Sequence, residues 1–147
     1  MTRILVPTDG SKQAEAAGEY AIANSDVIGA DIIVLYVIDI DYLNAIHQYD
    51  LRQSLQDQLW NEGEDTINAF KKKIEDQQCQ GHCKHVNIIP ILKEGKPADV
   101  ILKTAEEEGV DQIIMGKSGK HGIEKFIIGS TTDRVVRKAK VPVNVIS

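Results

Sequence analysis

Residues 31–38 read "DIIVLYVI", and the seven that follow the aspartate are all apolar. A strand with one wet face alternates apolar and polar residues, because successive side chains point to opposite faces. A run that is apolar at every position must be covered on both faces, the condition of a strand inside a parallel sheet flanked by helices. The rest of the chain supplies the partners. "RILVP" (3–7) ends at the turn cluster "TDGS" and predicts a buried first strand. "HVNIIPIL" (85–92) predicts a third strand, at a sheet edge because Pro90 has no backbone donor. "DQIIMG" and "VPVNVIS" predict the fourth and fifth.

Helical patterns separate these runs. From Ser11, a suitable N-cap, the chain carries Ala14, Ala17, Ala21 and Ile22 at helical spacing. A linker over residues 39–50 leads to a long helix with Leu51, Leu55, Leu59, Ile67, Phe70 and Ile74 on one stripe, ended by Gly81. "GKPADVILKTAEEEG" places Pro97 in a first helical turn and Gly109 at a stop, and "STTDRVVRKAK" is a short final helix. This alternation predicts one α/β domain over residues 1–147, a parallel sheet with helices on both faces. Ligands of such sheets bind outside the carboxyl ends of the strands, where the strand order reverses. "TDGS" and the loop after the fourth strand both follow strand ends. They face each other across one crevice if those strands are neighbours at the reversal.

The second of these loops is unusual. Between Gly116 and Gly129 lie twelve residues, with the spacing Gly116-x2-Gly119-x9-Gly129-Ser130. Glycine lets backbone N–H groups approach a ligand with no Cβ in the way. Ser130 and Thr131 open a helix, whose free N–H groups and dipole favour an anion such as phosphate, and Lys117, Lys120 and Lys125 supply balancing charge. "GKSGKHG" is not a P-loop, and no G-x-G-x-x-G follows the first strand. On chemistry alone, a phosphate cradle and a plain surface loop ending in a serine N-cap both fit.

Charge and composition narrow the partners. A net charge of −5 argues against a nucleic-acid footprint, which needs a concentrated basic face. No apolar stretch approaches the ~20 residues of a membrane span, and "MTRILVPTDG", reaching proline after a short apolar run, is not expected to be a signal peptide. Two cysteines four positions apart make no disulfide framework, so a reducing cytoplasm is the expected setting.

"PTDGS" after the first strand, "EGKPADVIL", the fourth strand ending in "MG", the glycine spacing and a final "VPV" occur in this order. In this order they resemble a universal stress protein domain of the ATP-binding type, over essentially the whole length. The resemblance implies a five-stranded parallel sheet in the order 3-2-1-4-5, of the universal stress protein and adenine nucleotide alpha hydrolase-like type. It also implies a cytoplasmic homodimer binding ATP, with Mg²⁺ accompanying it. Carried onto this sequence, Gly116, Gly119, Gly129, Ser130 and Thr131 line the ribose and phosphates, and Met115, Lys117 and Lys120 count with them as nucleotide-binding residues. Pro7, Thr8 and Asp9 form the opposite wall, with Asp9 near the ribose or a nucleotide-bound cation. Val37 meets the adenine edge through its backbone. Two positions depart from the family pattern. Lys117 replaces a small hydroxyl residue, and Asn144 interrupts an apolar last strand, the strand (141–147) expected to pair with its mate in a dimer.

Other residues carry weaker signals. "CQGHCKH" packs Cys79, His82, Cys83 and His85 too tightly to surround one tetrahedral zinc, so an exposed helix-to-strand corner is the better account. His121 fits a solvated loop as well as a phosphate contact, and Asp9 also suits an ordinary turn. Phe126, Ile127 and Ile128 are expected to pin the loop to the core, and Trp60, Tyr42 and Tyr49 to pack or form an interface. The leading expectation is a nucleotide-dependent regulatory module of the stress response. A slow ATPase or phosphotransferase at the same site is the alternative, and a nucleotide-free interaction protein a third class. A flavodoxin-like carrier is disfavoured, because the strand-end loops lack aromatic residues to flank a flavin.

Overall fold

The computed structural model describes residues 2–25, 29–81, 86–118 and 128–147. Its elements run β1 (Thr2–Thr8), α1 (Lys12–Ser25), β2 (Ala30–Asp39), α2 (Ile40–Asn44), α3 (Tyr49–Cys79), β3 (Val86–Gly95), α4 (Pro97–Glu107), β4 (Gln112–Gly116), α5 (Ser130–Lys138) and β5 (Val143–Ile146). The five strands form one parallel sheet in the order β3-β2-β1-β4-β5. β2 lies inside it, with Ile32, Ile33, Val34 and Leu35 fully buried, as its unbroken apolar run requires. Pro90 does sit on the edge strand β3.

Strand parity separates two core layers. Ile4, Val6, Ile32, Val34, Tyr36 and Ile114 point to one face, where Ala17 and Ala21 of α1 and Ile67 and Ile74 of α3 cover them. Leu5, Ile33, Leu35, Ile113 and Met115 point to the other, beneath Ala98, Ile101 and Ala105 of α4 and Val135 of α5. Each fully buried aliphatic side chain stabilises the fold by about 1.5–3 kcal/mol, so the sheet is rigid where it carries its loops.

Helix boundaries follow local chemistry. The Ser11 hydroxyl accepts the Ala14 N–H at 3.2 Å, capping α1. Pro97 opens α4, and Gly81 and Gly109 follow the ends of α3 and α4. Three expectations need correction. The linker contains the short helix α2, capped by Asp39, whose carboxylate accepts the Asp41 N–H at 3.0 Å. Leu51 is on the expected stripe of α3 but is 58% exposed, because it lies in the first turn, beyond the apolar cover of the sheet. The residue capping α5 is Gly129, not the serine of the surface-loop alternative. Among the described residues no helix is long and apolar enough to cross a membrane.

Candidate functional site

The order of the sheet reverses between β1 and β4. Consecutive strands run outward from β1 through β2 to β3, and the chain then returns to the other side of β1. Backbone pairing between β1 and β4 is confined to Ile4↔Gln112 and Leu5↔Ile113. Toward the carboxyl ends the first turn of α1 lies against β4. A Cβ built on Gly116 would stand 2.9 Å from the Gln13 carbonyl carbon and 3.0 Å from its oxygen. The β1–α1 turn and the β4–α5 connection therefore leave the sheet side by side, where open α/β sheets hold ligands.

Pro7 is buried at the end of β1, and Thr8 and Asp9 follow it half-buried. Gly10 takes φ of 82°, a left-handed conformation in which its N–H meets the Thr8 hydroxyl at 3.2 Å. One Asp9 carboxylate oxygen accepts the Ser11 N–H at 2.9 Å. The turn contact is thus present, whatever else that carboxylate holds. On the other flank β2 runs on past β1, whose last pair with it is Thr8↔Tyr36. Beyond that pair Val37 stands in register with Lys93 of β3. Its half-buried side chain packs into the α4–α5 core layer.

The β4 side is tied down by backbone and hydroxyl bonds. Met115 is 4% exposed, and its side chain belongs to the core. The Lys117 N–H donates to the Ile146 carbonyl at 2.9 Å, and the Lys117 carbonyl accepts the Gly129 N–H at 2.9 Å. The buried Thr132 hydroxyl donates to the Gly116 carbonyl at 2.9 Å. These bonds bring the start of α5 back beside the end of β4. Ser130 is exposed and Thr131 half-buried in its first turn. A Cβ at Gly129 would stand 3.2 Å from the Ser118 Cα and 3.3 Å from its Cβ. The space freed by the missing side chains at Gly116 and Gly129 is therefore filled by the chain's own α1 and Ser118.

Gly119, Lys120, His121, Lys125, Phe126 and Ile127 lie outside the described residues. So do His82, Cys83 and His85, while Cys79 is exposed. Ile128 is 45% exposed and does not pin the loop to the core. Trp60 packs against the α1–α3 core layer, whereas Tyr42 and Tyr49 are exposed. Three residues that sequence reasoning missed hold this region together: Gln13, Ser118 and Thr132. A hollow lined by Leu102, Ala105, Ile113 and Val141 lies near the amino end of β4, away from these loops.

A parallel sheet in this order, reversing between β1 and β4 and with a glycine-rich sequence after β4, defines the class of protein. A profile of the universal stress protein family matches residues 1–147, and the chain belongs to that family. Universal stress protein MJ0531 of Methanocaldococcus jannaschii is 30% identical over 98% of this chain and 81% of its own. The solved structure of MJ0577 from the same organism superposes with a TM-score of 0.86 at 32% identity, covering 99% and 94% of the two chains. Two more distant solved members share the fold. One, in complex with cAMP, has a TM-score of 0.61 at 20% identity and covers 99% of this chain and 95% of its own. The other, from Arabidopsis thaliana with AMP bound, has a TM-score of 0.67 at 18% identity and covers 99% and 91%.

Proposed function

We propose that this chain binds an adenine nucleotide, ATP with Mg²⁺, in the crevice at the strand-order reversal, and acts as a cytoplasmic homodimeric regulatory module. The observation that carries the reading is the start of α5. Its N-cap is a glycine with no side-chain bond to the first-turn N–H groups, and those groups stand where the glycine connection returns to the sheet. The first four N–H groups of a helix have no partner within it, and the dipole there favours negative charge. Phosphate is the natural complement. The AMP and cAMP bound by distant members of the family point to the same ligand class. In this reading Ser130, Thr131 and the glycine backbone hold phosphates, Val37 the adenine, and Pro7, Thr8 and Asp9 the ribose and cation side.

Asp9 offers the sharpest test of the cation role. Asp9→Asn keeps an oxygen for the Ser11 N–H and removes the charge. The expected outcome is an unchanged melting temperature, weaker ATP binding and a smaller gain on adding Mg²⁺, read by calorimetric titration. Unchanged affinity and Mg²⁺ dependence would reduce Asp9 to its turn. Steady-state phosphate release, measured beside binding, separates the module from a slow ATPase.

The dimer is expected through β5, the open edge of the sheet. The carbonyls of Pro142 and Ile146 bond β4, so the alternating backbone groups of Val143 and Val145 face away from it. An unpaired edge is a template for another strand, and two-fold pairing with a second copy would satisfy it. The intact protein should sediment as a dimer at micromolar concentration, and Val145→Pro, which removes an outward donor, as a monomer. Deleting residues 141–147 is the poorer test, because it also removes the Ile146 carbonyl that holds Lys117. A monomer in the intact protein would rule the pairing out.

A further inference from the structure

Gln13, the second residue of α1, reaches 105 positions along the chain. Its side-chain oxygen accepts the Ser118 N–H at 2.7 Å and the Ser118 hydroxyl at 2.5 Å. The atom facing an N–H must be the amide oxygen, so the orientation of the Gln13 amide is fixed by its partner. Ser118 is 6% exposed. A backbone N–H buried to that degree costs about 1–3 kcal/mol if left without an acceptor. No backbone acceptor for it is found among the described residues, so the glutamine fills that need. On its other side Ser118 abuts Gly129, whose N–H is held by the Lys117 carbonyl. One side chain thus joins the first turn of α1 to the point where the glycine connection meets α5.

We infer that Gln13 is a positioning residue. It sets the separation between the two walls of the crevice, and so the placement of the phosphate-facing backbone, through Ser118 and without touching the ligand. The inference rests on the nucleotide reading above. It assigns to α1 a part that neither the glycine spacing nor the β1 turn supplies. Because the brace acts on the β4–α5 side, it should matter most for ligands that extend furthest along that wall. ATP should depend on it more than AMP.

Gln13→Met keeps the length and helix propensity of the side chain and removes the acceptor. Gln13→Glu keeps the acceptor. Three quantities are read: hydrogen exchange at the Ser118 amide without ligand, and the affinities for Mg²⁺-ATP and for AMP. In Gln13→Met the Ser118 amide should exchange faster, ATP should bind about tenfold more weakly, and AMP less than about threefold more weakly. Gln13→Glu should restore the slow exchange. If Gln13→Met does not fold, Ser118→Ala removes only the hydroxyl bond and should shift the ATP-to-AMP ratio in the same direction. An unchanged exchange rate in Gln13→Met would overturn the brace itself. Equal losses for ATP and AMP would overturn the positioning role and leave a structural one. A wild-type protein that binds neither nucleotide would overturn the function proposed above and the ligand role of Gln13 with it.

Discussion

Gly129→Val is expected to weaken ATP binding on the order of 100-fold, about 2.7 kcal/mol, while the protein still unfolds in one cooperative transition. The backbone at Gly129 has φ −61° and ψ 154°, which valine adopts without strain, so the substitution acts through its side chain. The new Cβ would press on the Ser118 Cα and Cβ, at 3.2 and 3.3 Å. Neither atom belongs to the two core layers, which are built from the strands and the inner faces of the helices. The cheapest relief is to move Ser118 and the start of α5 apart. That motion strains the bond from the Gly129 N–H to the Lys117 carbonyl and displaces the first-turn N–H groups of α5. Titration calorimetry and a urea melt of the same preparation distinguish the cases. Unchanged affinity in the folded variant would mean that the start of α5 does not hold the ligand.

Gly116→Ala should act on stability instead. Its Cβ would meet main-chain atoms of Gln13, at 2.9 Å from the carbonyl carbon and 3.0 Å from the oxygen. Atoms of a helix backbone cannot swing aside as the tip of a side chain can. Gly116 is also held by the Thr132 hydroxyl through its carbonyl and by pairing with Ile146, so neither partner yields freely. Overpacking of this kind costs about 1–3 kcal/mol. For a chain of this size that lowers the melting temperature by about 2–12 °C. A melt indistinguishable from wild type would show that α1 can shift at its first turn, and would remove the basis for a rigid separation between the crevice walls.

What could be read from the sequence was what local rules determine. The unbroken apolar run of β2 required two covered faces, and Pro90 required an edge. Pro97 and Gly109 bounded a helix by conformational preferences that act within a few residues. Leu51 shows where such a rule stops. Its spacing belongs to the apolar stripe, yet α3 has 31 residues, about 46 Å at 1.5 Å per residue, against about 33 Å for a ten-residue strand. Part of the helix has no sheet beneath it, and periodicity does not reveal which part. α2 was invisible for a related reason, since five residues are too few for a helical repeat to declare itself.

The candidate site divides in the same way. The long glycine connection and the serine and threonine after it marked one wall, because glycine spacing is a local signal. Its reason was only half legible. At Gly116 and Gly129 the missing side chains make room for Gln13 and Ser118, and packing of the chain against itself looks the same in sequence as room for a ligand. The Gln13–Ser118 pair had no sequence signal, because its two partners are ordinary polar residues 105 positions apart. At Lys117 the resemblance implies a small hydroxyl residue, and the structure ties this position in through its main chain, which any residue but proline could supply.

The most direct measurement of the central claim is the nucleotide content of the purified protein, followed by its melting temperature with and without Mg²⁺-ATP. Denatured protein releases whatever it carried, and anion-exchange chromatography with mass detection identifies it. An adenine nucleotide near stoichiometric amounts is expected, with no flavin. A ligand that binds only the native state stabilises it by RT ln(1 + [L]/Kd), about 2.7 kcal/mol at a hundredfold excess over Kd. For a chain of this size that raises the melting temperature by about 5–11 °C. No bound nucleotide and no thermal shift in excess Mg²⁺-ATP would contradict the account, leaving the glycines between β4 and α5 to serve only the packing of their own loop.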